Sequence, residues 1–215
     1  MGIVEFNEAE NTLLISSIFI LYGGAASNEL AVKVAGDVQD YWNGPNGVVT
    51  FNGRIIQVRF KIDGYYKPYL EPEEVLGNDN PANNYFRIEE QTQMDVSFVD
   101  GIGSNTGFFK LANLLQTGST AAHEYGHTIG LDHPFDIDIR GRGVPGIMYP
   151  RGTITNAQYQ YNPLGVAGDN TNGGTMNPDH RRVTQQDIDD LQLSRFRKNR
   201  YSVLGDFSSV WHDAL

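Results

Sequence analysis

The chain of 215 residues predicts an α+β domain, and three observations carry that expectation. Apolar runs of strand length recur through the first half, a segment of helical period interrupts them, and Gly-, Pro- and Asn-rich sequence fills much of the second half. Hydrophobic residues make up 40% and aromatic residues 11%, which is enough for a packed core and too much for a disordered chain. The length suits one domain spanning residues 1–215.

The elements follow in order. Leu13 to Tyr22, apolar and interrupted by two serines, reads as a buried strand. It is too short to cross a bilayer, and Glu5, Glu8 and Glu10 precede it where a signal peptide has basic residues. Gly23-Gly24 ends it, and Ser27 or Asn28 can cap a helix to about Trp42, with Leu30, Val34, Val38 and Tyr41 or Trp42 on one face. Asn52-Gly53 between Val48–Phe51 and Ile55 onward is a hairpin signal. In the second arm Ile56, Val58, Phe60 and Ile62 alternate with Gln57, Arg59 and Lys61, the pattern of a half-buried strand.

Glu71 to Asn84 reads as a loop, Tyr85–Glu90 and Met94–Val99 as strands, and Gly107–Asn113 as a weaker one. A further helix is expected from near Ser119 to Gly130. Arg140 to Asp179 shows little periodicity. Thr184 with Asp187 three residues on resembles a capping box and opens a final helix carrying Ile188, Leu191 and Phe196. The tail from Tyr201 carries no signal.

A net charge of −10 and a pI near 4.8 disfavour nucleic acid and anionic membrane surfaces as partners. No stretch suggests membrane insertion, and a monomer is expected. With no cysteine, disulfides and thiolate metal ligands are excluded.

The chemistry is concentrated in His123-Glu124-Tyr125-Gly126-His127-Thr128-Ile129-Gly130-Leu131-Asp132-His133, the pattern H-E-x-x-H-x-x-G-x-x-H. Residues four apart share a helix face, so His123 and His127 can aim imidazole nitrogens at one Zn²⁺. Gly130 can take the left-handed conformation that ends a helix, letting His133 return as third ligand. Three protein ligands and an open position mark a catalytic zinc, and Glu124 is placed to work on a water as general base and acid without ligating the metal. Zinc held by three neutral histidines brings the pKa of its water toward ~7.

At these residues the sequence resembles the metzincin clan of zinc metallopeptidases, and Ile147-Met148-Tyr149-Pro150 is most similar to the methionine turn of its matrixin branch. Met176 is a second candidate for that methionine, and Met148 is preferred because its neighbours match. Arg182-Val183-Thr184-Gln185-Gln186-Asp187-Ile188 is similar to the start of the last matrixin helix, although the stretch between it and Met148 is longer than in that branch.

The resemblance implies a twisted, mixed, five-stranded sheet and a metal-binding helix. The cleft would lie between an upper subdomain, about 1–130, and a smaller lower one, about 131–215. It implies an exported metalloendopeptidase cut from a longer precursor, with a protein or peptide substrate, His123, His127 and His133 on zinc, and Glu124 as catalyst. Gly107–Asn113 would then be an edge strand pairing with substrate, an internal strand being the alternative. A zinc-binding module without catalysis, or an effector domain of a larger secreted protein, is the competing reading. Asp136 and Asp138 are a candidate Ca²⁺ pair without EF-hand spacing, a solvated loop being the plainer reading. His180 and His212, without partner spacing, read as ordinary surface or core histidines.

Overall fold

The computed structural model describes residues 1–51, 53–91, 96–116, 118–196 and 201–213. The fold is α+β, built on a curled, mixed sheet of eight strands. In chain order the elements are β1 (Gly2–Asn7), β2 (Thr12–Tyr22), α1 (Asn28–Asn43), β3 (Val48–Phe51), β4 (Arg54–Tyr66), α2 (Pro72–Leu76) and β5 (Asn83–Glu89). They continue with β6 (Phe98–Val99), β7 (Thr106–Lys110), α3 (Leu111–Gln116), α4 (Gly118–Thr128), α5 (Gln185–Asp190) and β8 (Ser202–Leu204). The sheet order is β3-β4-β2-β5-β7-β6, with β1 also on β2 and β8 on β1.

Strands β2, β4, β5 and β7 run parallel, while β3, β6 and β1 are antiparallel to their neighbours. The parallel center is covered by α1, whose buried Leu30, Ala31, Val34, Ala35, Val38 and Trp42 recur at helical spacing. Ser27 caps this helix, its side chain accepting from the Leu30 N–H at 3.1 Å. The helix sits tight on β4 at Gly64, where a Cβ would stand 2.6 Å from the Ala31 carbonyl carbon. The alternating arm resolves as expected, with Ile56, Val58, Phe60 and Ile62 all buried.

Several expectations are corrected. Among the described residues the sheet has eight strands where five were expected, and β1 and β8, which no sequence signal announced, add antiparallel pairings beside β2. The Glu71–Asn84 segment contains helix α2, with Pro72 at its first turn and a capping box between Glu71 and Glu74. Only Phe98–Val99 of the Met94–Val99 candidate is a described strand, and Met94 and Asp95 lie outside the described residues.

The Gly107–Asn113 candidate is strand only to Lys110, and β7 lies between β5 and β6, so it is internal and β6 is the edge. Phe108 and Phe109 point to opposite faces of β7 and both are buried, as a strand covered on both sides requires. The final helix ends at Asp190, because Gln192 takes a left-handed φ of 51° and Leu193–Arg195 continue as a 3₁₀ turn. No helix among the described residues is long and apolar enough to cross a membrane.

Candidate metal centre

Helix α4 has two faces with different work. Toward the core, Ala121, Ala122, Tyr125 and Ile129 are buried. Tyr125 packs among the rings of Phe19, Trp42 and Phe60 and shares a 2.8 Å hydrogen bond with the Ser17 hydroxyl on β2. The Trp42 indole N–H donates to the Ala122 carbonyl at 3.1 Å, tying α1 to the same helix. This anchoring holds the other face, with His123, Glu124 and His127, in register.

The helix ends as the motif requires. Gly130 has φ +102°, and the Leu131 N–H donates to the Gly126 carbonyl at 2.9 Å. The chain turns there and brings His133 back, so that its Nε2 lies 3.0 Å from His123 Nε2 and 3.1 Å from His127 Nε2. Tetrahedral coordination at 2.0–2.1 Å sets donor nitrogens about 3.3 Å apart, close to this spacing. His123 and His127 are buried and His133 is exposed, so the cluster opens on one side. Among the described residues no other group of three or more histidine or carboxylate side chains comes together in this way.

Backbone carbonyls orient the rings. His123 Nδ1 is 2.7 Å from the Ile147 carbonyl and His127 Nδ1 is 2.8 Å from the Leu131 carbonyl. A carbonyl only accepts, so both Nδ1 atoms carry the proton and both Nε2 lone pairs point at the shared focus. Carbonyl support of the distal nitrogen is the arrangement that orients histidine ligands on a metal. Burial pushes the His123 and His127 imidazoles below their ordinary pKa, His123 the further, which keeps them in the neutral form a metal needs. The residues present therefore fit a divalent cation such as zinc.

Glu124, 8% exposed, has its carboxyl pushed up to about 8, chiefly by burial. The positive charge of Arg181, the Val99 N–H and Arg151 act in the opposite direction. Two cavities bring it together with the histidines. One of about 190 Å³ is lined by Thr120, His123, Glu124, His133, Pro150 and Arg181 among others. One of about 290 Å³ reaches the edge strand β6 at Phe98 and Val99. A larger one, about 570 Å³, touches the cluster only at His133 and is walled by Met148, Tyr149 and Asp187.

Met148 is 3% exposed and packs on Gly126, the helical residue between His123 and His127, where a Cβ would overlap its sulfur. Met176 is buried elsewhere in the irregular half, its N–H on the Thr153 carbonyl and its backbone bridged to Gln160. The carboxylates of Asp136 and Asp138 are occupied by Arg142 and Arg140. His180 stacks edge-on to Tyr159, and His212 Nε2 is 2.9 Å from Asp100. Neither joins the cluster.

Sequence reasoning missed Arg181. The 3₁₀ turn Pro178–His180 delivers it, and the next residue pairs with the methionine segment through the Arg182 N–H and the Pro145 carbonyl, 2.9 Å. Adjacent arginines read as a solvated pair, and no spacing marks which of Arg181 and Arg182 turns inward. No protein-family model matches the chain, and no curated protein matches it either.

Proposed function

We propose that the protein is a zinc-dependent metalloendopeptidase of the metzincin type, with His123, His127 and His133 holding the zinc and Glu124 as general base and acid. The observation that carries this reading is the meeting of three imidazoles, with His133 Nε2 about 3 Å from each of the other two Nε2 atoms, in a cavity that also holds a buried carboxyl group. When bound, zinc supplies Lewis acidity, polarising the scissile carbonyl and making water a competent nucleophile near neutral pH.

Glu124 accepts the proton from the attacking water and hands it to the departing amine. Burial raises the carboxyl's pKa and so helps it hold a transferred proton, while the positive charge of a bound cation would act in the opposite direction and favour the ionised base. The imidazoles of His123 and His127 stay put throughout, held by the Ile147 and Leu131 carbonyls. The short strand β6 forms the edge of the sheet beside the cavity, the position from which strand addition would take an extended peptide. The helix–glycine–histidine order and the Met148 contact under Gly126 favour the metzincin arrangement over other zinc peptidases. An acid–base group within the cluster's cavity favours an enzyme over a zinc-binding module.

The test is a casein-type digest and a peptide library assayed with zinc, with a chelator, and with the Glu124→Gln protein. Cleavage should require zinc and fall roughly 10²–10⁴-fold in Glu124→Gln, with one zinc per chain retained. Zinc-edge anomalous scattering should place that ion among the three histidines. Parent-level digestion by Glu124→Gln, or no cleavage by the parent across the library, rejects the reading.

A further inference from the structure

Arg181 is 4% exposed, yet its guanidinium has no protein acceptor among the described residues. Its Nε is fully buried without a hydrogen bond, and burial lowers its pKa to about 10 even with the carboxyl of Glu124 in range. Glu124 makes neither a hydrogen bond nor an ion pair with it. Burying a guanidinium N–H without an acceptor is costly, and the planar group offers four further donors beyond Nε. Natural proteins accept such a cost where a ligand supplies the missing partner.

The place where that partner belongs is open. Arg181 lines the cavity of about 190 Å³ together with His123, Glu124 and His133, and Arg151 stands exposed at the same cavity. Asn113 and Ser97 supply further polar wall, and among the described residues Glu124 is the one acidic side chain that lines it. The missing acceptor is thus an anion small enough for this space, and the planar fork of a guanidinium matches a carboxylate.

We propose that Arg181 recognises a substrate carboxylate in this cavity, so that cleavage is directed to peptide bonds flanked by an acidic residue. The proposal rests on the peptidase reading for its meaning, but the carboxylate site is a separate physical claim. The carboxylate can come from an Asp or Glu side chain next to the scissile bond or from the C-terminus of a short substrate. Both present the same group to Arg181.

The test uses quenched peptides that differ only at the positions flanking the cleaved bond, with Glu, Gln or Leu there, each made as free acid and as amide. kcat/KM should favour Glu over Gln by roughly 10- to 100-fold, the worth of one charge-assisted pair. Arg181→Met should bring that ratio to about one while still cleaving the Leu peptide. Arg181→Lys, which keeps the charge and loses the fork, should fall between. A preference that follows the free C-terminus instead of the side chain assigns the second source, provided Arg181→Met also removes it.

A parent ratio near one in both series, or a ratio unchanged in Arg181→Met, overturns the proposal. Affinity of the zinc-loaded Glu124→Gln protein for the same peptides, by calorimetry, gives a readout without turnover. Discrimination lost on adding Arg181→Met supports the carboxylate site even if the parent cleaves nothing, in which case the peptidase reading alone fails. Equal binding of the Glu and Gln peptides and of free acid and amide overturns the site whatever the cleavage assay shows.

Discussion

Gly126→Ala should change the sign of its effect when Met148 is truncated. In the native packing the new methyl carbon would overlap the Met148 sulfur and stand 3.1 Å from its Cε and 3.3 Å from Trp42 Cζ2. Ordinary carbon contacts lie at about 3.5–4.0 Å, so the sulfur must shift within a buried site, an overpacking cost of about 1–3 kcal/mol. Alanine in place of glycine in a helix interior returns about 1 kcal/mol, leaving Gly126→Ala neutral to about 2 kcal/mol destabilising. Met148→Ala alone removes a buried side chain and should cost about 2–5 kcal/mol. In that background the overlap is gone and the propensity gain remains, so Gly126→Ala should stabilise by up to about 1 kcal/mol. The residual Trp42 contact trims this gain without reversing it. Urea unfolding of the four proteins, with zinc dissociation constants alongside, reads the cycle. If Gly126→Ala stabilises equally in both backgrounds, Met148 does not fill the space against Gly126, and the support that this contact gives to the metzincin reading fails with it.

Other outcomes follow from the same geometry. Adding zinc to metal-free protein at 100 times its dissociation constant should stabilise by about 2.7 kcal/mol, and Tm should rise by roughly 5–10 °C; no shift in a calorimetric scan would argue against a native metal site. The metal-free protein should lose stability as pH falls below 6.5, where its unfolded histidines take up protons that buried His123 and His127 refuse. Both folded pKa values are depressed, so this contribution is complete above the unfolded value and fades on acidification, by at most about 1.4 kcal/mol per pH unit per histidine. A flat profile from pH 7 to 5 in urea titrations would contradict it. Thr184→Ala breaks a capping box in which the hydroxyl and the Thr184 N–H both meet Asp187 at 2.7 Å, and should cost about 1 kcal/mol in denaturant midpoints. Gly64→Ala, forced against the Ala31 backbone, should be far more damaging than any of these and is checked by soluble yield and Tm.

Much of the parallel center was legible because its residues obey one period over many positions. Leu13–Tyr22, the α1 face and the Ile56–Ile62 alternation each repeat long enough to exclude other readings. The motif placed the three histidines and Glu124 because helical spacing alone brings His123 and His127 together and Gly130 alone frees His133. Short partners were not legible. β1 has Val4 as its one buried apolar side chain, and β8 is three residues long, so each depends on pairing that the sequence does not display. Phe196 continued the apolar period of the last helix, yet the left-handed Gln192 ended that helix first, a backbone choice without a glycine to announce it. Arg181 was invisible for a different reason. What makes it notable is the lack of an acceptor, and only a three-dimensional neighbourhood can lack something.

The two carbonyls on His123 and His127 have a consequence for how metal is taken up. Rings already locked by Ile147 and Leu131 give an arriving ion little to organise. Its capture should then resemble filling a rigid mould: a heat-capacity change near zero, little alteration in amide exchange across α4, and an association rate governed by how fast the ion sheds water. A zinc finger, which folds around its ion, behaves in the opposite way on all three counts. The same rigidity means that a chelator should strip the ion and leave the vessel standing, ready to be refilled by another metal of similar size and preferred geometry.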